Sequence, residues 1–292
     1  MLDLKTFAKT VRISDGAWGT ELQNASLEAG ASPELLNVEN PAAVAAVARA
    51  YVQAGSDVIL TNTFGANRFI LAGHGLGERT GELARAGAEI SRREAGARVK
   101  VFASMGPTGK IVMMQEAPEA DISAAFAEAA VALAEGGVDA ILLESFAQLD
   151  EMALALRAVR GAVDLPVVAS MTFASGPDGT STMMGNSPGD LAALAAECGA
   201  AAVGANCGAG PEGFLKVARL FRAAGDLPIW IKPNAGLPQR GPDGKTFFPM
   251  NPQDFAAAAA GLIEAGANFL GGCCGTTPRH IAAVRKVVSC EL

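Results

Sequence analysis

Glu135-Gly136-Gly137-Val138-Asp139-Ala140-Ile141-Leu142-Leu143-Glu144-Ser145 reads as a helix end, a glycine stop and a short strand that closes on a carboxylate. Glycine ends the helix because it enters the left-handed backbone region without a Cβ penalty. The same grammar recurs three times. Gln53-Ala54-Gly55, Glu197-Cys198-Gly199 and Glu264-Ala265-Gly266 each set Glu or Gln two residues before a glycine, with a strand after it. The four glycines are 82, 62 and 67 residues apart. Each interval has room for roughly two strand–helix units, so these strands are expected to be the second, fourth, sixth and eighth.

Eight short β-branched and apolar runs lie along the chain: Val11–Ser14, Val58–Thr61, Val101–Met105, Ile141–Glu144, Val167–Thr172, Ala202–Ala205, Ile229–Lys232 and Phe269–Gly272. An Ala-rich helical segment follows each. This α/β alternation predicts a (β/α)8 TIM barrel, a fold that typically takes about 250 residues. It is expected to fill residues 1–292 as a single domain, since no Pro/Gly/Ser linker divides them. The alternative, an open doubly wound sheet, usually carries a Gly-rich phosphate loop, and no G-x-G-x-x-G follows a strand here. Asn40-Pro41, Ser187-Pro188, Asn251-Pro252 and Thr277-Pro278 each place a capping side chain before a proline, as at a helix start. The strand-to-helix connections Thr20–Asn40, Gly65–Gly77 and Gly236–Asn251 are long, which marks the functional end of such a barrel.

Composition narrows the function. Of 292 residues half are hydrophobic and 18% charged, enough for a large core. The longest apolar run, Phe255–Ile263, is too short for the roughly 18 residues of a membrane span. The charged start, Met1-Leu2-Asp3-Leu4-Lys5, lacks a signal-peptide stretch. No membrane role is expected, and the location is expected to be cytoplasmic. A net charge of -7 argues against nucleic acid as a partner. With 2 His there is little room for a His-rich metal site, and both His74 and His280 read as structural or solvated. The 5 Cys are an odd set for a disulfide framework and favour metal or catalytic thiols.

Seven or eight residues past the repeat glycines stand Asn62/Thr63, Glu144/Ser145, Asn206/Cys207 and Cys273/Cys274, at the carboxyl ends of strands. Three cysteines thus gather at the ends of two neighbouring even strands. Three thiolates bind zinc and leave a fourth tetrahedral position open. Adjacent cysteines on a regular strand point to opposite faces. Cys273 and Cys274 reach one ion only if the strand breaks, and Gly271, Gly272 and Gly275 permit that. Buried thiols or a redox pair are the alternative. Cys198 and Cys290 lack such company and read as packing or surface thiols. Glu144 points from a buried strand end, where polar residues of barrels are usually functional.

Taken together, Asp15-Gly16-Ala17-Trp18-Gly19-Thr20, Thr61-Asn62-Thr63-Phe64, Gly106-Pro107-Thr108-Gly109, Glu144-Ser145-Phe146, Gly204-Ala205-Asn206-Cys207-Gly208, Lys232-Pro233-Asn234-Ala235-Gly236 and Gly271-Gly272-Cys273-Cys274-Gly275 resemble the homocysteine S-methyltransferase family. The likeness spans almost the whole chain. Thr61–Arg68 and Lys232–Pro238 look most like the homocysteine-binding module of cobalamin-dependent methionine synthase. The resemblance implies a (β/α)8 barrel with one zinc (Zn2+) per chain on Cys207, Cys273 and Cys274, which are then the catalytic residues. It implies that homocysteine binds the metal as a thiolate and is methylated to methionine. Three protein thiolates outweigh the charge of zinc, and a fourth keeps the site electron-rich and the substrate sulfur nucleophilic. Asp15 and Glu144 are implied to hold the substrate ammonium, and backbone amides of Gly16, Ala17, Trp18 and Gly19 its carboxylate. Asn234 matches a residue that, in relatives, approaches the zinc when substrate is absent.

The resemblance also bears on the methyl donor. Betaine-using relatives often present tyrosines near the second and fourth strand ends. Here the one tyrosine, Tyr51, lies in a helix, and Gly65-Ala66 and Ser145-Phe146 stand in those places. The expected donor is therefore methylcobalamin on a corrinoid protein acting in trans, because one barrel uses up the chain. Met113-Met114 and Met183-Met184, in long loops, would give that partner an adaptable docking rim. Two alternatives remain. Trp18, Phe64, Phe146 and Phe173 would form an aromatic wall for a cationic donor, betaine or S-methylmethionine. A zinc-thiolate sensor without catalysis is the other.

Overall fold

A computed structural model describes the chain apart from residues 1, 26, 28, 29, 242, 243, 245 and 292 and the side chains of 24, 25, 290 and 291. The eight expected strands form: β1 (Arg12–Ile13), β2 (Val58–Leu60), β3 (Lys100–Met105), β4 (Ala140–Phe146), β5 (Val167–Met171), β6 (Ala202–Cys207), β7 (Ile229–Pro233) and β8 (Phe269–Leu270). All pair in parallel in the order β1-β8-β7-β6-β5-β4-β3-β2. Eight helices cover the outside: α1 (Pro41–Gln53), α2 (Thr80–Ala95), α3 (Glu119–Glu135), α4 (Leu149–Ala162), α5 (Pro188–Glu197), α6 (Pro211–Ala224), α7 (Pro252–Glu264) and α8 (Pro278–Glu291). The result is a (β/α)8 barrel. Gly55, Gly137, Gly199 and Gly266 have φ of 94°, 87°, 69° and 105° and deliver the chain into β2, β4, β6 and β8. The repeat read from the sequence is therefore a repeated backbone turn.

Three of the four Asx/Ser–Pro helix starts are capped as expected. Asn40 accepts from Ala43 N–H, Asn251 from Gln253 and Asp254 N–H, and Ser187 forms a reciprocal box with Asp190. The fourth differs. The His280 ring turns back and its Nδ1 accepts from Thr277 N–H at 3.1 Å, while Nε2 lies 3.0 Å from the Met250 carbonyl. The histidine caps α8 in place of the Thr277 hydroxyl.

β1 and β2 share no ladder; aspartates staple the seam between them. Asp57 N–H donates to Ile13 O at 2.6 Å, Ile13 N–H donates to Asp57 Oδ2 at 2.8 Å, and Leu60 N–H donates to Asp15 Oδ2 at 2.6 Å. The long connections carry structure of their own: helices Trp18–Ala25, Leu36–Glu39 and Arg68–Ala72, and a hairpin pairing Gln239–Arg240 with Thr246–Phe247. Among the described residues, no helix is long and apolar enough to cross a membrane.

The barrel interior has two layers. Phe102, Trp230 and Phe269 stack at centroid distances of 5.2 to 6.2 Å and make an aromatic floor. Two residues further along their strands come Ser104 and Lys232, joined by Glu144, Ser170 and Asn206; with side chains repeating every second residue, this is the next inward layer. All five are buried. The polar layer lies toward the carboxyl ends, where barrel sites are built.

Candidate metal and substrate site

Cys207 is the last residue of β6, with φ 63°, and Gly208 follows at 65°. β8 ends at Leu270, as the glycines of this segment allow. A side chain at Gly271 would collide with Ser14 Oγ and the Asp15 carbonyl. The chain then turns: Cys273 N–H donates to Pro233 O at 2.7 Å, and its carbonyl accepts from Thr276 N–H at 3.1 Å and Thr276 Oγ1 at 2.7 Å. The strand break turns both neighbouring thiols toward Cys207. The three sulfurs lie within 4.8 Å of one another, Cys207 and Cys274 at 3.9 Å. Hydrogen bonds from Cys273 and Cys274 hold the Cys207 thiol far below its ordinary pKa. The same contacts and burial hold Cys273 and Cys274 above theirs. A soft divalent cation that binds such a cluster displaces the protons its thiols hold. Asn234 stands beside it. Its Nδ2 donates to Gly208 O at 3.2 Å, its side chain helps to hold the Cys207 pKa down, and its buried Oδ1 has no partner among the described residues. Three sulfurs and an orphaned oxygen next to them fit a zinc ion.

Glu144 and Asp15 part ways in the structure. Glu144 Oε1 accepts a very short bond from Ser104 Oγ, and no protein donor reaches its other oxygen among the described residues. Burial pushes its carboxyl up against the opposing pull of Lys232 and Ser104. Asp15 is fully buried with both oxygens taken: Oδ1 by Lys232 Nζ at 2.7 Å, Oδ2 by Trp18 Nε1 and Leu60 N–H, each at 2.6 Å. Burial opposes the Lys232 charge, yet Asp15 and Glu144 hold its pKa up. Sequence reading gave no role to Lys232, Ser104, Ser170 or Asn206. A lone lysine in Ile229-Trp230-Ile231-Lys232 and single serines in the apolar runs of β3 and β5 were the available signals.

Asn206 links strands. Its Oδ1 accepts from Ser145 N–H at 2.9 Å and Ser170 Oγ at 2.7 Å, and its Nδ2 donates to Ser145 Oγ at 2.6 Å. Ser145, at φ 65°, sits at an irregularity in the β4–β5 ladder. Left-handed non-glycine residues cost roughly 1–3 kcal/mol and persist where surroundings enforce them.

The Asp15-to-Thr20 segment is tightly seated. A Cβ on Gly16 would stand 2.7 Å from Thr276 Oγ1 and 2.8 Å from Tyr51 Oη. Ala17 N–H donates to Thr276 Oγ1 at 3.2 Å, and the Tyr51 hydroxyl donates to Ala17 O at 3.1 Å. Trp18 and Gly19 open helix Trp18–Ala25, and nothing lies within 4 Å of a Cβ placed on Gly19.

The aromatic wall does not form. The β4 irregularity sends Phe146 outward against Phe126, and Phe173 packs edge-on against Phe221; both are fully buried. Trp18 is tied to Asp15, which leaves Phe64 exposed by itself. The methionine pairs do stand out, with Met183 83% and Met113 69% exposed. Among the described residues, ten large hydrophobic side chains are exposed, and eight follow barrel strands at this end: Val38, Phe64, Met113, Met114, Met183, Met184, Leu237 and Phe247. Cys198 packs half-buried on the core, and His74 is exposed. The Cys290 side chain lies outside the described residues.

The chain is similar to known proteins along most of its length. Methionine synthase of Mycobacterium tuberculosis (strain H37Rv) is 35% identical over 98% of this chain, and that of Mycobacterium leprae 33% identical over 98%. The chain spans 25% of the length of each. Among solved structures, the oxidized form of the Escherichia coli homocysteine methyltransferase MmuM superposes with a TM-score of 0.81, at 22% identity over 97% of this chain and 98% of that one. The metallated form gives 0.79, at 23% identity over 95% and 96%. At that identity the likeness speaks for the barrel alone. The profile of homocysteine S-methyltransferases matches residues 12–288, from the first barrel strand into the last helix with all three cysteines inside, and the chain belongs to that family.

Proposed function

We propose that the protein transfers a methyl group to the sulfur of homocysteine, with zinc held by Cys207, Cys273 and Cys274. The observation that carries this reading is the convergence of three thiols from β6 and β8 within 4.8 Å. Bound there, the metal would supply the Lewis acidity that keeps a substrate thiol deprotonated at neutral pH. The chain's own residues then bind and orient. Glu144, fixed by Ser104 on one oxygen, accepts the substrate ammonium on the other. The first amides of helix Trp18–Ala25, those of Trp18, Gly19 and Thr20, have no partner within the helix and face a carboxylate favourably. Gly16 and Ala17 set the approach to that helix end. Asp15 serves the substrate through its grip on Trp18 and Lys232. Asn234, whose Oδ1 is unpartnered among the described residues, would help the three cysteines to hold the metal in the absence of substrate.

The donor we propose is a methyl-corrinoid protein acting in trans. Relatives named methionine synthase support it, as does the exposed apolar rim, which suits a docking protein. The buried positions of Phe146 and Phe173 weigh against a cage for a small cation. Turnover of homocysteine by zinc-loaded protein decides the matter, with a methylated corrinoid protein compared against betaine and S-methylmethionine. The expected result is methionine from the corrinoid donor alone. Efficient turnover with a small donor and none with corrinoid would overturn the donor and leave zinc and homocysteine standing.

A further inference from the structure

We propose that Asn206 is a positioning residue that fixes the span between the ammonium and thiolate subsites, and so selects the acceptor by its carbon count. This rests on the reading of the site as a homocysteine site. The argument begins with adjacency. Glu144 is followed by Ser145 and Asn206 by Cys207, and both Ser145 and Cys207 hold left-handed backbone, at φ 65° and 63°. One amide connects the two places. It reaches from β6 past Ser170 on β5 to Ser145 on β4, giving Ser145 an acceptor for its N–H and a donor for its Oγ. A carboxylate at position 206 would lack the donor, and an apolar side chain would lack both. Without this bracket Ser145 relaxes toward extended backbone, and the Glu144 carboxylate shifts relative to the Cys207 sulfur.

The consequence is a ruler. Homocysteine and cysteine carry the same thiol and ammonium and differ by one methylene. A rigid frame discriminates between them by about tenfold or more, and a slack frame does not. Asn206 is fully buried, so its effect on substrate passes through these hydrogen bonds.

The test measures dissociation constants of zinc-loaded wild type, Asn206→Ala and Ser170→Ala for three ligands. They are L-homocysteine, L-cysteine and 4-mercaptobutyrate, which keeps the thiol and carboxylate of homocysteine but lacks its ammonium. Asn206→Ala is expected to keep its zinc, to bind homocysteine about tenfold more weakly, to lose most of the preference over cysteine, and to bind 4-mercaptobutyrate as wild type does. Ser170→Ala, which removes one bond to the same amide, is expected to shift the preference in the same direction by less, and it decides the matter if Asn206→Ala does not fold. Equal loss for homocysteine and 4-mercaptobutyrate overturns the proposal, as does an unchanged preference in a folded variant. Zinc lost from both variants overturns it too, since the amide would then serve the metal alone. A wild type that holds zinc and binds no homocysteine removes the underlying reading as well, an outcome distinct from the other three.

Discussion

The floor and the mouth of this barrel lie one inward layer apart, equally buried, and are built on opposite principles. At the floor Phe102, Trp230 and Phe269 fill space by contact, and the Trp230 N–H is left without a partner among the described residues. Burial of the large rings offsets that orphaned donor, which costs about 1–3 kcal/mol. At the mouth Asp15, Ser104, Glu144, Ser170, Asn206 and Lys232 are joined by hydrogen bonds, in which Asp15 alone receives three. The floor tolerates an unpaired group because it has only to be stable. The mouth spends buried charge on geometry, because a site must hold groups in fixed places.

The cysteines give the sharpest contrast. Cys273→Ala is expected to abolish zinc binding and cut turnover by orders of magnitude while thermal unfolding changes little. Metal analysis of the purified variant checks it, and full zinc occupancy would break the ligand set. Trp230→Ala reverses the pattern. Unfolding stability should drop by roughly 3–5 kcal/mol in denaturant titration, and the folded fraction should keep its zinc and its homocysteine affinity. Lys232→Met tests the mouth on its own terms. It strands the Asp15 charge and should cost roughly 3–5 kcal/mol, much of it recovered in the double variant with Asp15→Asn. The amide oxygen of Asp15→Asn can still accept from Trp18 Nε1 and Leu60 N–H, so the recovered protein should keep its homocysteine binding.

Glu144→Gln is a smaller change. Loss of a charge-assisted bond worth about 1.5–3 kcal/mol weakens homocysteine binding roughly ten- to a hundredfold, with zinc untouched. Calorimetric titration reads this directly, and unchanged affinity would remove Glu144 from the site. Smallest is the pH effect at His280. Burial holds this ring below its ordinary pKa of 6.5. The unfolded chain therefore takes up a proton before the folded one does, so the cap on α8 is fully stabilising above about pH 6.5 and lost as pH falls. His280→Gln should flatten that acid slope in a series of melts.

Much of this was open to reading before any coordinates. Glycine stops before even strands and Asx/Ser–Pro starts gave the barrel, because both are local backbone demands. The converging cysteines were legible for a similar reason: strand ends in a repeat fall at equal depth. Phe146 was not, since a one-residue irregularity in β4 reverses which way it faces. Nor was the occupancy of Asp15, which depends on Lys232 more than two hundred positions away. The aspartate staple between β1 and β2 was equally hidden, because pairing by side chain leaves no periodic mark.

The central claim is that three thiols at the barrel mouth hold zinc and receive a fourth sulfur from substrate. Zinc-edge X-ray absorption on purified protein, before and after L-homocysteine, counts the sulfur neighbours directly. The account predicts three sulfurs from Cys207, Cys273 and Cys274 with a lighter fourth neighbour, rising to four sulfurs with homocysteine. Zinc whose sulfur count stays the same when homocysteine is added would contradict it.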